Sequence, residues 1–330
     1  MFNLHKDPRR NIFLAPLQNV TTAPYRNFCR LFHDIGLVSV PMLYMKRITS
    51  NPNFLQEDLY KIKEERPISI QLIGNDKEAL ENSIEYLESY EFDVLDINAG
   101  CPSRRAINSQ SGGYLIKDLE NLQKLLQVAL KKSSRPISLK TRIGFKNSDN
   151  IKEIASVINE SGINFITVHA RTVKNRFNDN HLNLEALKHF KEELNIPIIG
   201  NGDIVDPITA KYFLDYTKVD GLMIGRGSIG NPEIFSQIYE YIIHDKIKPI
   251  NNDKIKMQSY FRLYEKMVDK FLTGINLGYP LDEYKFIELK RNAIWLTRDI
   301  ENSTLIRSKL SKTKSLSQLK NILDNYFKSE

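Results

Sequence analysis

The stretch IPIIGNGDIVDPITAKYFLDYTKVDGLMIGRGSIGNPEIF, residues 196–235, contains two short apolar runs that each end in a glycine-rich loop. The runs are IPIIGNGD at 196–203 and VDGLMIGRG at 219–227, and a helix-like segment separates them. Short apolar runs bounded by glycine are typical of buried strands. A strand, a helix and a second strand in this order favour parallel pairing of the two strands.

Six further runs of the same kind precede this stretch, again with helix-like segments between them. They are NIFLAP (11–16), LVSVPM (37–42), PISIQLIG (67–74), FDVLDIN (92–98), RPISLKTRIG (135–144) and NFITVHAR (164–171). Eight strands that alternate with helices predict an α/β fold, the (β/α)8 TIM barrel, which typically needs roughly 250 residues. A doubly wound open sheet is the alternative, and it is disfavoured because no G-x-G-x-x-G sequence follows the first run.

The chain beyond residue 243 has a different character. HDKIKPINND at 244–253 is polar and contains a proline, as expected of a linker. Three amphipathic, helix-like segments follow it, namely KMQSYFRLYEKMVDKFL, DEYKFIELKRNAIWLTRDI and SLSQLKNILDNYF. The pattern therefore predicts a barrel domain at 1–243 and a C-terminal all-helical domain at 250–330.

Charge also distinguishes the two parts of the chain. Residues 245–330 carry 17 Lys and Arg against 11 Asp and Glu, whereas residues 1–244 carry 30 against 29. The net charge of +7 therefore lies almost entirely in the C-terminal quarter. This excess indicates either a solvated helical face or a surface that binds a polyanion.

Other sequence features exclude several classes of protein. Charged residues and proline interrupt the N-terminal MFNLHKDPRRNIFLAPL, and no run of roughly 18 apolar residues occurs, so we expect a cytoplasmic protein with no membrane segment. The chain has two isolated cysteines, Cys29 and Cys101, which form neither a disulfide framework nor a metal site. Cys29 lies in an apolar, helix-like segment and is predicted to be a small core residue. Cys101 instead follows a strand, in a polar loop.

In barrels of this kind the active site is formed by residues that follow the strands. Those positions are mostly polar in this chain: Pro16, Gln71, Asn98, Cys101, Lys140, His169, Arg171, Asn201, Gly202, Asp203, Gly225 and Arg226. A lysine on a barrel strand is rarely buried without an anionic partner, so Lys140 is predicted to face a bound anion. The loops after the last two strands of this fold usually hold a phosphate. The residues alone therefore predict a phosphate-bearing cofactor at the mouth of a barrel.

Seven sequence blocks, in family order, resemble the tRNA-dihydrouridine synthases, which are FMN enzymes that reduce uridine in tRNA. The blocks are LAPLQNVTTAPYRNFCRLF, SIQLIGND, DINAGCPSRRAINSQSGGYLIKD, ISLKTRIGF, ITVHARTVKNRF, IIGNGDI and GLMIGRGSIGNPEIF. They cover the chain from residue 12 to about residue 236. The N-x-G-C-P block with its downstream Gly-Gly pair is the specific part of the resemblance, because other flavin barrels share the glycine loops.

The resemblance implies a role for each of these residues. Cys101 would give a proton to C5 of a uracil whose C6 receives hydride from flavin, and NADPH or NADH would reduce that flavin. FMN would contact Pro16, Leu17, Gln71, Lys140, His169, Asn201, Gly202, Asp203, Gly225 and Arg226. The tRNA substrate would contact Asn98, Arg104, Arg105 and Arg171. No metal is implied, and we expect a monomer.

Two other functions remain open from the sequence. The first is a flavin barrel that acts on a free pyrimidine, which would not need the basic helical region. The second is an RNA-binding protein whose barrel no longer catalyses a reaction, which would lack bound flavin.

Overall fold

The computed structural model describes residues 2–50, 55–61, 65–247, 253–298 and 300–328. Its strands are β1 (Ile12–Leu14), β2 (Val38–Ser39), β3 (Leu43–Tyr44), β4 (Ile68–Ile73), β5 (Val94–Ala99), β6 (Ile137–Arg142), β7 (Phe165–His169), β8 (Ile198–Asn201) and β9 (Gly221–Ile224). All of these strands pair in parallel. Eight of them follow the order β1-β9-β8-β7-β6-β5-β4-β2, and β3 pairs with β4 beside β2. A parallel bridge between Phe13 and Leu37 joins the two ends of this sheet. The predicted (β/α)8 barrel is therefore confirmed.

The second predicted strand is interrupted. The sequence predicts one strand at 37–42, whereas the structure has β2 and then β3, with Pro41 between them. Proline has no backbone N–H group, so it cannot donate to the strand ladder at that position. Both short strands still pair with β4, and the interruption therefore leaves the barrel intact.

Helices connect the strands. They are α1 (Ala23–Arg30), α2 (Met45–Ser50), α3 (Gln56–Leu59), α4 (Lys77–Leu87), α5 (Arg104–Asn108), α6 (Leu119–Lys132), α7 (Ile151–Ser161), α8 (Leu184–Glu193), α9 (Pro207–Thr217) and α10 (Ile234–His244). Aspartate side chains cap several N-termini: Asp76 accepts from the N–H of Ala79 at the start of α4, and Asp118 accepts from that of Asn121 in α6. These caps fix where the chain leaves each strand loop and begins its helix.

A separate apolar cluster fills part of the barrel interior, and several of its members lie at the N-terminal ends of strands. Its buried members are Phe13, Ala15, Leu37, Val94, Phe165, Ile199 and Met223. Phe2, close to the N-terminus, packs against this cluster, with its ring centroid 6.3 Å from Phe13 and 5.9 Å from Phe165. These apolar side chains close the inside of the barrel below the residues that follow the strands.

The C-terminal region is helical, as predicted. Its helices are α11 (Lys254–Leu272), α12 (Leu281–Leu296), α13 (Ser303–Ser311) and α14 (Leu316–Lys328), of which α13 is not predicted from the sequence. Residues 248–252, in the predicted linker and at the start of the predicted helical domain, lie outside the described residues. Within the described ranges, no helix is long and apolar enough to cross a membrane.

The helical region packs closely against the barrel. The Tyr264 ring on α11 lies edge-on to Phe28 of α1, with ring centroids 5.2 Å apart. Beside them, the buried carboxylate of Glu288 on α12 accepts hydrogen bonds from the Tyr264 hydroxyl at 2.5 Å and from Thr22 Oγ1 at 3.0 Å. Arg291 pairs with Glu288 and donates to the carbonyl of Asn19. The helical region is therefore anchored to the loop that follows β1.

Candidate active site

A cavity of about 580 Å³ opens at the C-terminal ends of the barrel strands. It brings together most of the site residues predicted from the sequence: Pro16, Leu17, Gln71, Asn98, Cys101, Lys140, His169, Asn201, Gly202, Asp203, Gly225 and Arg226. Three predicted residues do not line it, namely Arg104, Arg105 and Arg171. Arg104 and Arg105 lie on the exposed surface of α5, directly after the Cys101 loop.

One side of the cavity, which we call the amide wall, consists of Gln71, Asn98 and Cys101. Beneath it, the buried Asp96 carboxylate accepts hydrogen bonds of 2.5 Å from Gln71 Nε2 and from Ser138 Oγ. An ionised carboxylate only accepts hydrogen bonds, so the NH2 group of Gln71 faces Asp96 and its oxygen faces Asn98. Asn98 Nδ2 donates to that oxygen at 2.8 Å. Burial raises the pKa of Asp96 to about 6, and the carboxyl is still mostly ionised at neutral pH.

This chain of hydrogen bonds ends at the cysteine. Asn98 Oδ1 accepts from the backbone N–H of Cys101 at 2.9 Å, and the carbonyl of Cys101 accepts from the N–H of Gly113 at 3.0 Å. Gly112 has φ +58°, and a Cβ atom there would lie 2.9 Å from Cys101 Cβ. The Sγ atom is half-buried and lies 3.4 Å from Ser103 Oγ. The Gly-Gly pair of the motif therefore lets its own loop pack against the backbone that carries the thiol.

The adjacent part of the lining, which we call the cationic wall, consists of Lys140, Arg142 and Arg226, and Lys140 on β6 lies directly beside Asn98 on β5. Lys140 Nζ donates to Asn201 Oδ1 at 3.1 Å, and Asn201 Nδ2 donates to the carbonyl of Met223 at 2.7 Å. An ammonium group has three hydrogens, so Lys140 keeps donors for a ligand. Burial, together with the nearby charge of Arg142, lowers the pKa of Lys140 to about 8. Burial also lowers the pKa of Arg142 to about 10.

His169 lies between these cations at the end of β7. Burial, followed by the charges of Arg142 and Lys140, holds the pKa of His169 well below its usual value. The imidazole is therefore neutral at physiological pH. Its Nδ1 atom is buried and has no hydrogen-bond partner in the structure. An unpartnered buried nitrogen costs free energy unless a ligand reaches it, so this atom points to a bound polar group.

Arg171 is predicted to contact a substrate, but the structure gives it other contacts. Its fully buried guanidinium pairs with Asp203 and donates from Nε to the carbonyl of Asn178 at 2.7 Å. Arg226 donates to the same Asp203 carboxylate at 2.8 Å. Burial alone would raise the pKa of Asp203, but these two arginines outweigh it and the pKa is lower than usual. Arg171 therefore holds the loop after β8 from behind the cavity.

The loops after β8 and β9 pack against each other through glycines. A Cβ atom at Gly227 would lie 2.2 Å from the carbonyl oxygen of Ile204, so no larger residue fits there. At Gly225 the nearest atoms to such a Cβ are 3.7 Å away, on Ala15, which leaves this backbone open to the cavity. Arg226 follows directly, so an open backbone and a cation lie together. This arrangement suits a phosphate group.

Several cavity residues are missed by the sequence reasoning, and three of them carry a charge or an aromatic ring. Arg142 follows Lys140 by two positions on β6 and so points to the same side of the strand, a signal that alternation could have supplied. Phe177 lies in the loop after β7, 53% exposed, with the guanidinium carbons of Arg142 and Arg226 at 5.2 and 5.6 Å from its ring centroid. Arg298, just after α12, brings a cation from the helical region to the same cavity. Nothing in the sequence pattern connects Arg298 with the barrel.

The donor set of the cavity fits a planar cofactor with an anionic end. Lys140 offers an ammonium group and His169 a ring nitrogen, Gln71 and Asn98 offer amides, and the glycine loops with Arg226 offer a phosphate site. The half-buried thiol of Cys101 faces the same space. The arrangement can therefore hold such a cofactor and still present a proton donor to a second ligand.

The chain was compared with known families and proteins. Residues 13–330 match the dihydrouridine synthase (Dus) family. The chain is similar to the tRNA-dihydrouridine synthase B of Pasteurella multocida (strain Pm70), with 33% identity over 254 residues, which are 74% of each protein. It is also similar to a probable tRNA-dihydrouridine synthase of Rickettsia prowazekii (strain Madrid E), with 26% identity over 321 residues that cover 97% of this chain and 95% of the relative.

Solved structures support the fold. A morphinone reductase variant superposes with a TM-score of 0.52 at 11% identity, covering 73% of this chain and 88% of that one. Histamine dehydrogenase from Rhizobium sp. 4-9 gives a TM-score of 0.56 at 11% identity, covering 81% of this chain and 50% of that one. At this identity the likeness concerns the barrel alone. The match to the family over nearly the whole chain carries the assignment, and the protein belongs to the dihydrouridine synthase family of oxidoreductases.

Proposed function

We propose that the protein reduces the C5–C6 double bond of a uridine in tRNA, with FMN as its cofactor and NADPH or NADH as the source of hydride. The observation that carries the proposal is the position of Cys101: its backbone N–H donates to Asn98 Oδ1, and it lines the same cavity as the half-buried Lys140. The tRNA-dihydrouridine synthases of Pasteurella and Rickettsia support the substrate.

The residues of the cavity fit FMN. Its phosphate would lie at the glycine loops beside Arg226, and Lys140 and His169 would meet polar atoms of its ring. The remaining contacts would come from Pro16, Leu17, Gln71, Asn201, Gly202, Asp203 and Gly225. When bound, FMN supplies the hydride that it has received from the nicotinamide. Arg171 serves this site through Asp203 rather than by touching the uracil.

The chain itself supplies the proton. The Cys101 thiol donates to C5 of the uracil, where negative charge develops once C6 has been reduced. Asn98 fixes the backbone of Cys101, and its own orientation depends on Gln71 and Asp96. The neighbouring Ser103 hydroxyl lies within reach of the sulfur. The amide wall therefore holds the thiol in one place without adding a charge beside it.

We also propose that the enzyme is a monomer with two domains. Residues 1–243 form the catalytic domain, and residues 250–330 form a tRNA-binding domain. Four exposed cations lie on α13 and the turn after it: Arg307, Lys309, Lys312 and Lys314. Such a patch suits the phosphate backbone of RNA, which is bound mainly through charge and shape.

The test uses the full chain purified with its bound cofactor. We expect a yellow protein that releases FMN and, with NADPH, converts uridine to dihydrouridine in an unmodified tRNA transcript, as measured by nucleoside mass spectrometry. Free uridine serves as the comparison substrate. Reduction of free uridine with no reduction of tRNA would instead favour a small-pyrimidine reductase, and a colourless protein that binds no added FMN would contradict the cofactor.

A further inference from the structure

A second cavity, of about 530 Å³, is not used by the proposed reaction. We call it the flanking cavity and define it by Tyr44, Lys46, Arg47, Asn75 and Arg105, which lie on its lining. These residues lie at the end of β3, on α2, after β4 and on α5, so this cavity is also at the C-terminal ends of the strands.

The flanking cavity adjoins the amide wall. On β4, Gln71 lines the first cavity and Ile73, two residues later, lines the second. Met42 and Tyr44 show the same relation on the neighbouring segment. Two residues of extended chain span at most about 7 Å. A ligand that continues past the amide wall in this direction therefore reaches the flanking cavity.

Two side chains of this cavity, Arg105 and Tyr44, are in direct contact. The guanidinium carbon of Arg105 lies 4.2 Å from the centroid of the Tyr44 ring, within the range of a cation–π contact. Arg105 is exposed, so the side of its guanidinium that faces away from Tyr44 is accessible. Arginine planes that are held in this way are platforms on which unpaired RNA bases stack.

The charges of the flanking cavity favour a phosphate. Lys46, Arg47 and Arg105 contribute three cations to its lining, and Asp76 contributes an anion. The Asp76 carboxylate is already hydrogen-bonded at 2.8 Å to the N–H of Ala79, where it caps α4. The lining is therefore positive overall, next to a surface suited to a planar base.

We propose that the flanking cavity binds one unpaired nucleotide that neighbours the reduced uridine in the RNA, with its base stacked on Arg105 and its phosphate near Lys46 and Arg47. This inference rests on the proposed function and adds a base-stacking site to it. Tyr44 is a positioning residue, because it holds the plane of Arg105. An enzyme acting on a free pyrimidine would have no use for this site.

The first test compares affinities of full-length variants for an unmodified tRNA transcript. Arg105→Lys keeps the charge but loses the plane, and Tyr44→Leu leaves the plane unsupported. We expect each to weaken binding by about 5- to 150-fold, the effect of one lost stacking contact. Tyr44→Phe keeps the ring and should retain the affinity that Tyr44→Leu loses. Arg9→Lys, at an exposed site away from both cavities, is the matched control.

The second test detects the stack directly. An RNA oligomer with 2-aminopurine next to the target uridine should lose fluorescence when it binds the wild type, and should keep it when it binds Arg105→Lys. Wild-type affinity of Arg105→Lys for tRNA, or no quenching in the wild type, would overturn the inference. Because Arg105 is exposed, this variant decides the matter even if Tyr44→Leu fails to fold. The proposed function is judged separately, by whether the wild type reduces tRNA at all.

Discussion

The two walls of the active-site cavity differ in how their side chains are held. On the amide wall, Gln71 and Asn98 are neutral, and each hydrogen bond sets the direction of the next, from Asp96 to the backbone of Cys101. On the cationic wall, Arg142 is buried and Lys140 is half-buried, and desolvation is the main cause that lowers their pKa values. The amide wall presents almost no net charge to the cavity, whereas the cationic wall presents several positive charges.

This difference separates two chemical tasks. A proton donor works best when its position is fixed, and the amide wall fixes the backbone of Cys101, while Arg142 donates to the neighbouring carbonyl of Gly100 at 2.9 Å. An anionic ligand is bound best by cations that have already been desolvated by the fold, which is the situation on the cationic wall. We therefore expect substitutions on the amide wall to change turnover, and those on the cationic wall to change ligand binding and stability.

The largest expected effect is on the amide wall. Cys101→Ala removes the proposed proton donor, so dihydrouridine formation should fall by about 10²–10⁴-fold while FMN binding is retained. Single-turnover oxidation of pre-reduced enzyme by unmodified tRNA measures this step directly. Cys101→Ser should restore little, because a hydroxyl is a much weaker acid.

Cys29→Ala is the matched control for the loss of a cysteine. Cys29 is fully buried on α1, and burial raises the pKa of its thiol to about 12. Its replacement should affect packing and leave single-turnover oxidation unchanged. Equal rates for wild type and Cys101→Ala would remove Cys101 from the mechanism.

The next effect concerns stability on the cationic side. Asp203→Ala would remove a carboxylate that pairs with the fully buried Arg171. Breaking a buried ion pair typically costs about 3–5 kcal/mol, and because Asp203 is partly exposed we expect a loss of about 2–4 kcal/mol in the free energy of unfolding. Urea denaturation measures it. Glu120→Ala breaks an exposed pair with Lys124 on α6 and should cause no measurable change, so equal stability of both variants would contradict the structural role of Asp203.

A third effect depends on pH. With a pKa of about 8, Lys140 is protonated at pH 7 and loses its charge as the pH rises through 8 in the free protein. If it faces an anionic part of FMN, the Kd of FMN should rise above pH 8 by up to about tenfold per pH unit. Fluorescence titration between pH 7 and 9.5 measures this, above the range in which the phosphate itself titrates. Lys140→Met should bind FMN more weakly at pH 7 and show no such rise, and an unchanged pH profile in that variant would assign the titration to another group.

The sequence predicts the barrel well because its strands are buried on both faces and are short. Apolar runs such as PISIQLIG and FDVLDIN fit the buried strands of a parallel sheet. The closure of that sheet into a barrel brings together the residues that follow the strands. The interruption at Pro41 changes a strand boundary but not the topology. Hence the alternation of runs and helices is sufficient to predict the fold.

The partners of individual side chains are not encoded in this pattern. Arg171 and His169 both lie at the end of the same predicted strand, so the sequence suggests the cavity for both. The structure shows that Arg171 instead pairs with Asp203. Arg298 and Phe177 reach the cavity from segments that are distant in sequence or irregular. Long-range contacts of this kind depend on how helices and loops pack, which no local periodicity specifies.

The smallest expected effect lies outside both walls and tests whether the helical region binds tRNA. Deleting that region is a poor experiment, because Tyr264 and Glu288 are buried against the barrel and their loss would disturb the loop after β1. Removing two exposed charges, with Lys312→Gln and Lys314→Gln together, leaves these contacts intact. Each phosphate contact contributes about 0.7–0.9 to the slope of log Kd against log salt, so we expect a slope smaller by up to about 2.

The matched control is the double variant Lys131→Gln and Lys132→Gln at the exposed end of α6, which removes the same charge from the barrel. Both doubles should bind FMN and be reduced by NADPH as the wild type is, because neither pair touches the cavity. If the two double variants reduce the salt slope equally, the affinity for tRNA depends only on the net charge of the protein. If only the Lys312 and Lys314 double variant reduces the salt slope, the cations of the C-terminal quarter contact RNA. If that variant leaves the slope unchanged, these cations form a solvated helical face.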